Sequence, residues 1–153
     1  MRVTTLTTQD AEAILNWPAY PSEFAELDYA LRKHGWLHQF PESRINHRFG
    51  AWEDDILIGF AVLNRTAERE AEFYIALRPN RVGLGFGETL AQRVLAKGFD
   101  DLSLEKIYLR VRTWHTRAIR LYEKIGFKKI KEIESEIDGQ KVRVLVMLKQ
   151  NPA

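Results

Sequence analysis

The chain contains no cysteine. That excludes a disulfide framework, a thiolate zinc site and a cysteine nucleophile. No run of about 18 apolar residues occurs, the length a helix needs to cross a bilayer. The opening Met1-Arg2-Val3-Thr4-Thr5 lacks the apolar segment of a secretory leader, so the expected compartment is the cytoplasm. Charge of one sign is also scarce. The 23 basic and 21 acidic residues leave a formal net charge of +2, too little to point to a nucleic-acid or membrane partner.

What is present suits one compact domain over residues 1–153. The chain is 45% apolar and 29% charged, and a domain of this size buries roughly 70% of the surface its unfolded chain exposes. No repeat, linker or low-complexity segment divides it. Residues 2–6 read as a strand. Thr8 is the expected N-cap of a helix over 9–16 carrying Ala11, Ile14 and Leu15 on one face. Ser22 starts a second predicted helix, through Phe24, Leu27 and Leu31, with Gly35 as its stop. Strands are predicted over 47–53 and 56–64, around Glu53-Asp54-Asp55, and over 70–78, ended by Pro79. Helical spacing returns over 86–99. Lys106–Arg112 alternates as a strand, and 116–125 carries the stripe Ala118, Leu121, Tyr122 and Ile125. The tail reads as a hairpin, 129–137 and 141–149, about a type I′ turn at Asp138-Gly139. The pattern is α+β, with a mostly antiparallel sheet and interleaved helices.

Between a strand-like run and a helix-like run lies Val82-Gly83-Leu84-Gly85-Phe86-Gly87. Alternate glycines let backbone amides approach a ligand closely, and the following helix adds unpaired N–H groups and the positive end of its dipole. This is the composition of a phosphate cradle. It is not the dinucleotide fingerprint, whose sixth position is Glu88 counted from Gly83 and Leu90 counted from Gly85. Nor is it a triphosphate P-loop, because Glu88 and Thr89 follow Gly87. A plain strand-to-helix turn is the alternative reading of the same residues.

Three segments in order resemble the GNAT superfamily of acetyl-coenzyme A-dependent N-acetyltransferases. They are the strand Ala71–Pro79 leading into Gly83–Gly87, the strand Leu104–Val111, and Arg117–Phe127 with its Gly126-Phe127 ending. The resemblance implies a mixed, mostly antiparallel sheet of about six to seven strands, splayed where acetyl-CoA enters. It implies main-chain contacts from Ile75, Ala76 and Leu77 to the pantetheine arm, and phosphate contacts from Val82, Gly83, Leu84, Gly85, Phe86 and Gly87. His115 and Tyr122 complete the implied coenzyme site. Val82 stands where the family usually has Arg or Gln, with Arg81 one position earlier, and His115 stands where Asn is common.

The resemblance makes Tyr122 the general acid for the departing thiolate; the same tyrosine also suits a core position in its helix stripe. Glu72 is the candidate general base. Alternation puts Glu68, Glu70, Glu72 and Tyr74 on one strand face, where the carboxylates would attract a cationic amine or simply be solvated. Trp17, Tyr20, Phe24, Tyr29, Trp36, Phe40 and Phe49 supply rings for an amine pocket or for the core. His34 and His38 are four residues apart, but Gly35 intervenes and no third ligand is evident, so no metal is expected. Lys128, Lys129 and Lys131 read as a solvated edge. The expected function is transfer of an acetyl group from acetyl-CoA to a primary amine, by direct attack in a ternary complex. A catalytically inactive acyl-CoA-binding sensor or interaction module is the alternative, and a homodimer stays open.

Overall fold

The computed structural model describes residues 1–21, 35–137 and 139–152. Along them run β1 (Arg2–Thr5), α1 (Thr8–Leu15), α2 (Trp36–Gln39), β2 (Asn46–Glu53), β3 (Ile56–Ala67) and β4 (Glu70–Leu77). Then come α3 (Phe86–Ala96), β5 (Lys106–Arg112), α4 (Thr116–Lys124), β6 (Lys128–Ile137) and β7 (Gln140–Gln150). The helix predicted from Ser22 and the turn residue Asp138 lie outside the described residues. Ile137 pairs with Gln140 across that turn, and Gly139 has φ +77°.

Two predicted boundaries shift for local reasons. Thr7, not Thr8, caps α1. Its hydroxyl accepts from the Asp10 amide at 3.1 Å while the Asp10 carboxylate accepts from the Thr7 amide at 2.9 Å. Either threonine can cap a helix, and the acid three residues on decides between them. The helix predicted over 86–99 is α-helical only to Ala96. It widens into a π-helical turn at Lys97–Asp101, where the Leu102 amide donates to the Lys97 carbonyl at 3.1 Å.

The strands form one sheet in the order β1-β2-β3-β4-β5-β7-β6, antiparallel except for the parallel pair β4–β5. This is the α+β sheet that the sequence pattern implies. Alternation divides its residues between two cores. On one face Phe60 and Val62 pack with Leu6, Ile14 of α1 and Leu37 of α2. On the other, Leu63, Phe73, Ile107, Leu109 and Met147 pack with Leu90, Val94 and Leu95 of α3. Helix α4 contributes no fully buried residue; its stripe is partly covered. It flanks the core rather than completing it.

His47 of β2 is partly buried. Burial holds its pKa below the ordinary 6.5, and the nearby Arg65 cation adds to the shift. Its Nε2 is enclosed without a hydrogen-bond partner among the described residues. The unfolded chain therefore takes up this proton at a higher pH than the folded one. The contribution is complete above pH 6.5 and is lost as pH falls towards the folded pKa. We predict that the melting temperature falls as pH drops below 6.5, and that His47→Gln makes the fall shallower. Identical pH profiles of wild type and variant in differential scanning calorimetry would contradict this.

Candidate active site

The site begins where a ladder stops. β4 and β5 are joined through Glu70↔Lys106, Ala71↔Ile107 and Glu72↔Tyr108, and no pair follows. Beyond that point β4 keeps β3 on one side and faces an opening on the other. The Arg78 amide donates to the Ile58 carbonyl at 2.7 Å. By the alternation of an antiparallel ladder, Ala76 and Tyr74 also turn their backbone groups to β3, and Ile75 and Leu77 turn theirs to the opening. Of the three residues near which main-chain contacts are expected, Ala76 lines the cavity but by this alternation has its polar backbone turned to the sheet. The Leu77 carbonyl is already taken, accepting from the Tyr20 hydroxyl at 2.6 Å. The Ile75 amide and carbonyl and the Leu77 amide are the groups aimed at the opening.

The opening is part of a cavity of about 1010 Å³, a size suited to a cofactor-like ligand. One end is the glycine loop. Gly83 and Gly85 have φ +83° and +90°, values costly for residues with a Cβ. Gly85 is the N-cap of α3, and no side chain caps that helix, so its first-turn amides have no side-chain acceptor. A Cβ on Gly85 would meet no protein atom within 4 Å. The conformation requires glycine, and the space beside it is open. Val82, Gly83, Gly85 and Gly87 line the cavity. Leu84 and Phe86 do not: Leu84 is 64% exposed and Phe86 packs against the larger core.

A basic side chain approaches the loop from elsewhere in the chain. Arg81 lies in the 3-10 turn Pro79–Arg81 and does not line the cavity. Arg117, in the first turn of α4, does. Its guanidinium lies against Gly83, with Cζ 3.2 Å from where a Cβ would be. The same cation, after burial, lowers the pKa of His115, which also lines the cavity and stacks on Trp114 at 5.1 Å. His115 precedes α4 but makes no side-chain cap. Lys128, Lys129 and Lys131 do not reach the cavity.

Tyr122 lies along the wall. Ala118, Leu121 and Tyr122 of α4 line the cavity, while Ala118 and Tyr122 also pack against the larger core and Ile125 is buried in it, so the stripe is at once core contact and side of a cleft. The Tyr122 ring meets Phe127 edge-on at 5.8 Å. Desolvation pushes its phenol up to about 12, which keeps the proton on the oxygen at neutral pH. A group in this state can donate a proton to an anion forming in the cleft.

The other end of the cavity is aromatic. Tyr20, Trp36 and Tyr74 line it, and the Tyr74 ring contacts Trp36 at 5.2 Å and Phe40 at 4.5 Å. Trp17 packs on Phe60 at 6.3 Å, and Phe49 packs against the larger core. Phe24, Tyr29 and His34 lie outside the described residues. No group of three or more metal-ligating side chains occurs among the described residues.

The acidic row is not what alternation suggests. Glu68 belongs to the turn between β3 and β4, its carbonyl accepting from Arg65. Glu70 faces Lys106 at 3.9 Å and the Tyr108 hydroxyl at 3.5 Å. Glu72 accepts twice from Arg110, at 2.8 and 3.1 Å, and also accepts from the Tyr74 hydroxyl. It does not line the cavity, whereas Arg110 and Tyr74 do. The expectation of a base at Glu72 thus meets a carboxylate already committed to a cation. Burial first, and then the Glu72 bond, pushes the Tyr74 phenol up and keeps it a donor.

The open loop yields a direct test. Gly85→Val places a branched side chain where the protein itself has no atom within 4 Å. Coenzyme A affinity should fall at least about tenfold, or about 1.4 kcal/mol. Titration calorimetry on a variant shown to be folded checks this, and unchanged affinity removes the loop from the binding site.

Comparisons with known proteins identify the family. The family model for the acetyltransferase (GNAT) family matches residues 11–127. The chain is 38% identical over 116 residues to spermidine N(1)-acetyltransferase of Vibrio cholerae, an alignment covering 72% of this chain and 63% of that protein. It thus spans somewhat less than two thirds of that relative's length. The Escherichia coli K12 spermidine N(1)-acetyltransferase is 32% identical over 134 residues, 86% of this chain and 70% of that one. Among solved structures, a mutant of the spermidine N-acetyltransferase SpeG from Vibrio cholerae superposes with a TM-score of 0.78 at 27% identity. That match covers 99% of this chain and 95% of the other. Another SpeG structure is a complex with manganese ions. The relatives are named as acetyltransferases, and the binding-only alternative finds no support among them. Fold, family model and relatives converge, and the chain belongs to the GNAT family of acetyltransferases.

Proposed function

We propose that this protein transfers the acetyl group of acetyl-CoA to a primary amine of a polyamine, with spermidine as the first acceptor to test. One observation carries the reading. A single cavity joins the glycine loop, the unpaired edge of β4, Tyr122 and an aromatic end. Acetyl-CoA fits its chemistry and supplies an activated acyl thioester. The amides of the loop and of the α3 N-terminus, with Arg117, would hold its phosphates. The Ile75 amide and carbonyl and the Leu77 amide would pair with the amides of its pantetheine arm, as an added strand would. The aromatic end suits an alkylammonium chain, which gains from ring faces as well as from burial of its methylenes. The polyamine assignment rests on the relatives' named substrates. We place the reaction in one domain and in the cytoplasm, the compartment that supplies acetyl-CoA.

Tyr122 Oη serves as general acid, giving its proton to the sulfur as the thiolate departs. The acceptor amine must arrive neutral at the attacking nitrogen. Glu72 is not poised to take its proton while Arg110 holds both carboxylate oxygens, so no residue is assigned as base. Direct attack in a ternary complex requires both substrates in the cavity together, which its two chemically distinct ends permit.

A second reading has a specific basis. The [ribosomal protein bS18]-alanine N-acetyltransferase of Haemophilus influenzae is 31% identical over 78 residues, 51% of this chain and 52% of that one. A peptide beginning with alanine therefore belongs in the acceptor panel. Thiol release with spermidine, spermine, a lysine-containing peptide and the alanine peptide should show highest kcat/KM for a polyamine. A clear preference for the alanine peptide would overturn the polyamine assignment. On the best acceptor, Tyr122→Phe should lower kcat on the order of 10²–10⁴-fold, the typical loss of a general acid. Coenzyme A affinity should stay close to wild type. Full turnover in that variant would exclude Tyr122 as the acid.

A further inference from the structure

We infer that Glu72 is a specificity-determining residue whose task is to neutralise Arg110, so that a polycationic acceptor can enter the aromatic end of the cavity. The inference rests on the polyamine reading and adds the residue that makes this end hospitable to positive charge.

Arg110 lies two residues beyond the last β4–β5 pair, Glu72↔Tyr108, on the face that carries Tyr108. Its side chain reaches back across the widening gap to Glu72, with Nε and Nη2 at 2.8 and 3.1 Å. The Tyr74 hydroxyl closes the network, donating to Glu72 and lying 3.5 Å from Arg110. Tyr74 is in turn set by Trp36 and Phe40, so the network is joined to the aromatic wall. Exposure is unequal within the pair: the Glu72 side chain is 17% exposed and that of Arg110 is 43% exposed. The carboxylate sits behind, and the guanidinium borders the cavity.

The arrangement presents a difficulty and its solution together. A guanidinium at the mouth of an amine site repels an ammonium, and a polyamine carries several. A carboxylate paired to that guanidinium cancels its field at a distance. The remaining charges bordering the cavity are placed differently. Arg112 lies over the Trp114 ring at 5.8 Å, Arg117 lies on Gly83, Lys124 pairs with Glu88 at 2.8 Å, and Arg120 borders the cavity from α4, unchanged in every variant below. Glu136 borders the cavity from β6 and is common to every variant below. Glu72–Arg110 is the acid–base pair that the described residues place beside Tyr74 and Trp36, and its two members can be removed separately.

The two deletions have opposite signs, which structural damage would not produce. Glu72→Gln leaves the cation and should raise KM for spermidine on the order of fivefold, more for spermine and less for a monoamine. Arg110→Gln leaves the carboxylate and should lower KM in the same order of acceptors. The double variant should return KM close to wild type, with the changes falling on KM rather than kcat. The probes are spermine, spermidine and a monoamine at fixed ionic strength, followed by thiol release. If Glu72→Gln lowers kcat alike for all three and the double variant shows no recovery, Glu72 is a catalytic group and the inference is wrong. Unmoved KM values in both single variants also overturn it. A wild-type protein that acetylates none of the three amines defeats the polyamine reading and this inference with it. A wild type active on them, with variants that fail the sign test, defeats the inference alone.

Discussion

Three residue pairs join β4 to β5, and the site exists because a fourth does not form. A strand inside a sheet normally spends both rows of backbone groups on its neighbours. β4 spends only one row beyond Glu72, because β5 leaves it while β3 continues alongside to Leu77. Unpaired strand groups attract another extended chain. Here the exposed stretch is only a few residues long, walled by α4 and crossed at Leu77 by Tyr20. Under the proposed function, the thin amide-bearing arm of the coenzyme takes that short edge.

The same divergence sorts the charges. At the glycine loop positive φ values, uncapped helix amides and Arg117 gather positive potential where an anion would lie. Across the apex of the gap the Arg110 guanidinium, which borders the cavity beside Tyr74, is bound to Glu72. Under the proposed function, an anionic donor and a cationic acceptor would thus find opposite conditions in one cavity, whose wall includes Tyr122. Its desolvation follows from the same packing that makes α4 the side of the cleft.

Much of this was legible in the sequence because it is local. The glycine loop announced its backbone, and period-two alternation located the described strands to within a few residues. The Gly126-Phe127 ending fixed the register of α4, and with it Tyr122. What was not legible depends on distance or on an interruption. Glu68, Glu70 and Glu72 keep perfect alternation in the sequence, yet a turn separates the first from the others. Glu72 and Arg110 are 38 residues apart and meet only because β4 and β5 are parallel neighbours. Arg117 reaches Gly83 from another helix, so the loop's lack of a basic residue at Val82 looked like a deficit. The stripe on α4 had the spacing of a core helix and does pack on the core, and its position at the edge of the splay makes it a cleft wall as well.

The account stands on the β4 edge, and amide hydrogen exchange across Phe73–Leu77, resolved by residue in NMR, reads that edge directly. Addition of coenzyme A should slow exchange at the Ile75 and Leu77 amides, which face the opening. The Tyr74 and Ala76 amides, already turned to β3, should change little. Equal slowing at all four would mean general tightening of the fold. No change at Ile75 and Leu77 in a protein saturated with coenzyme would contradict the claim that this edge is where the coenzyme binds.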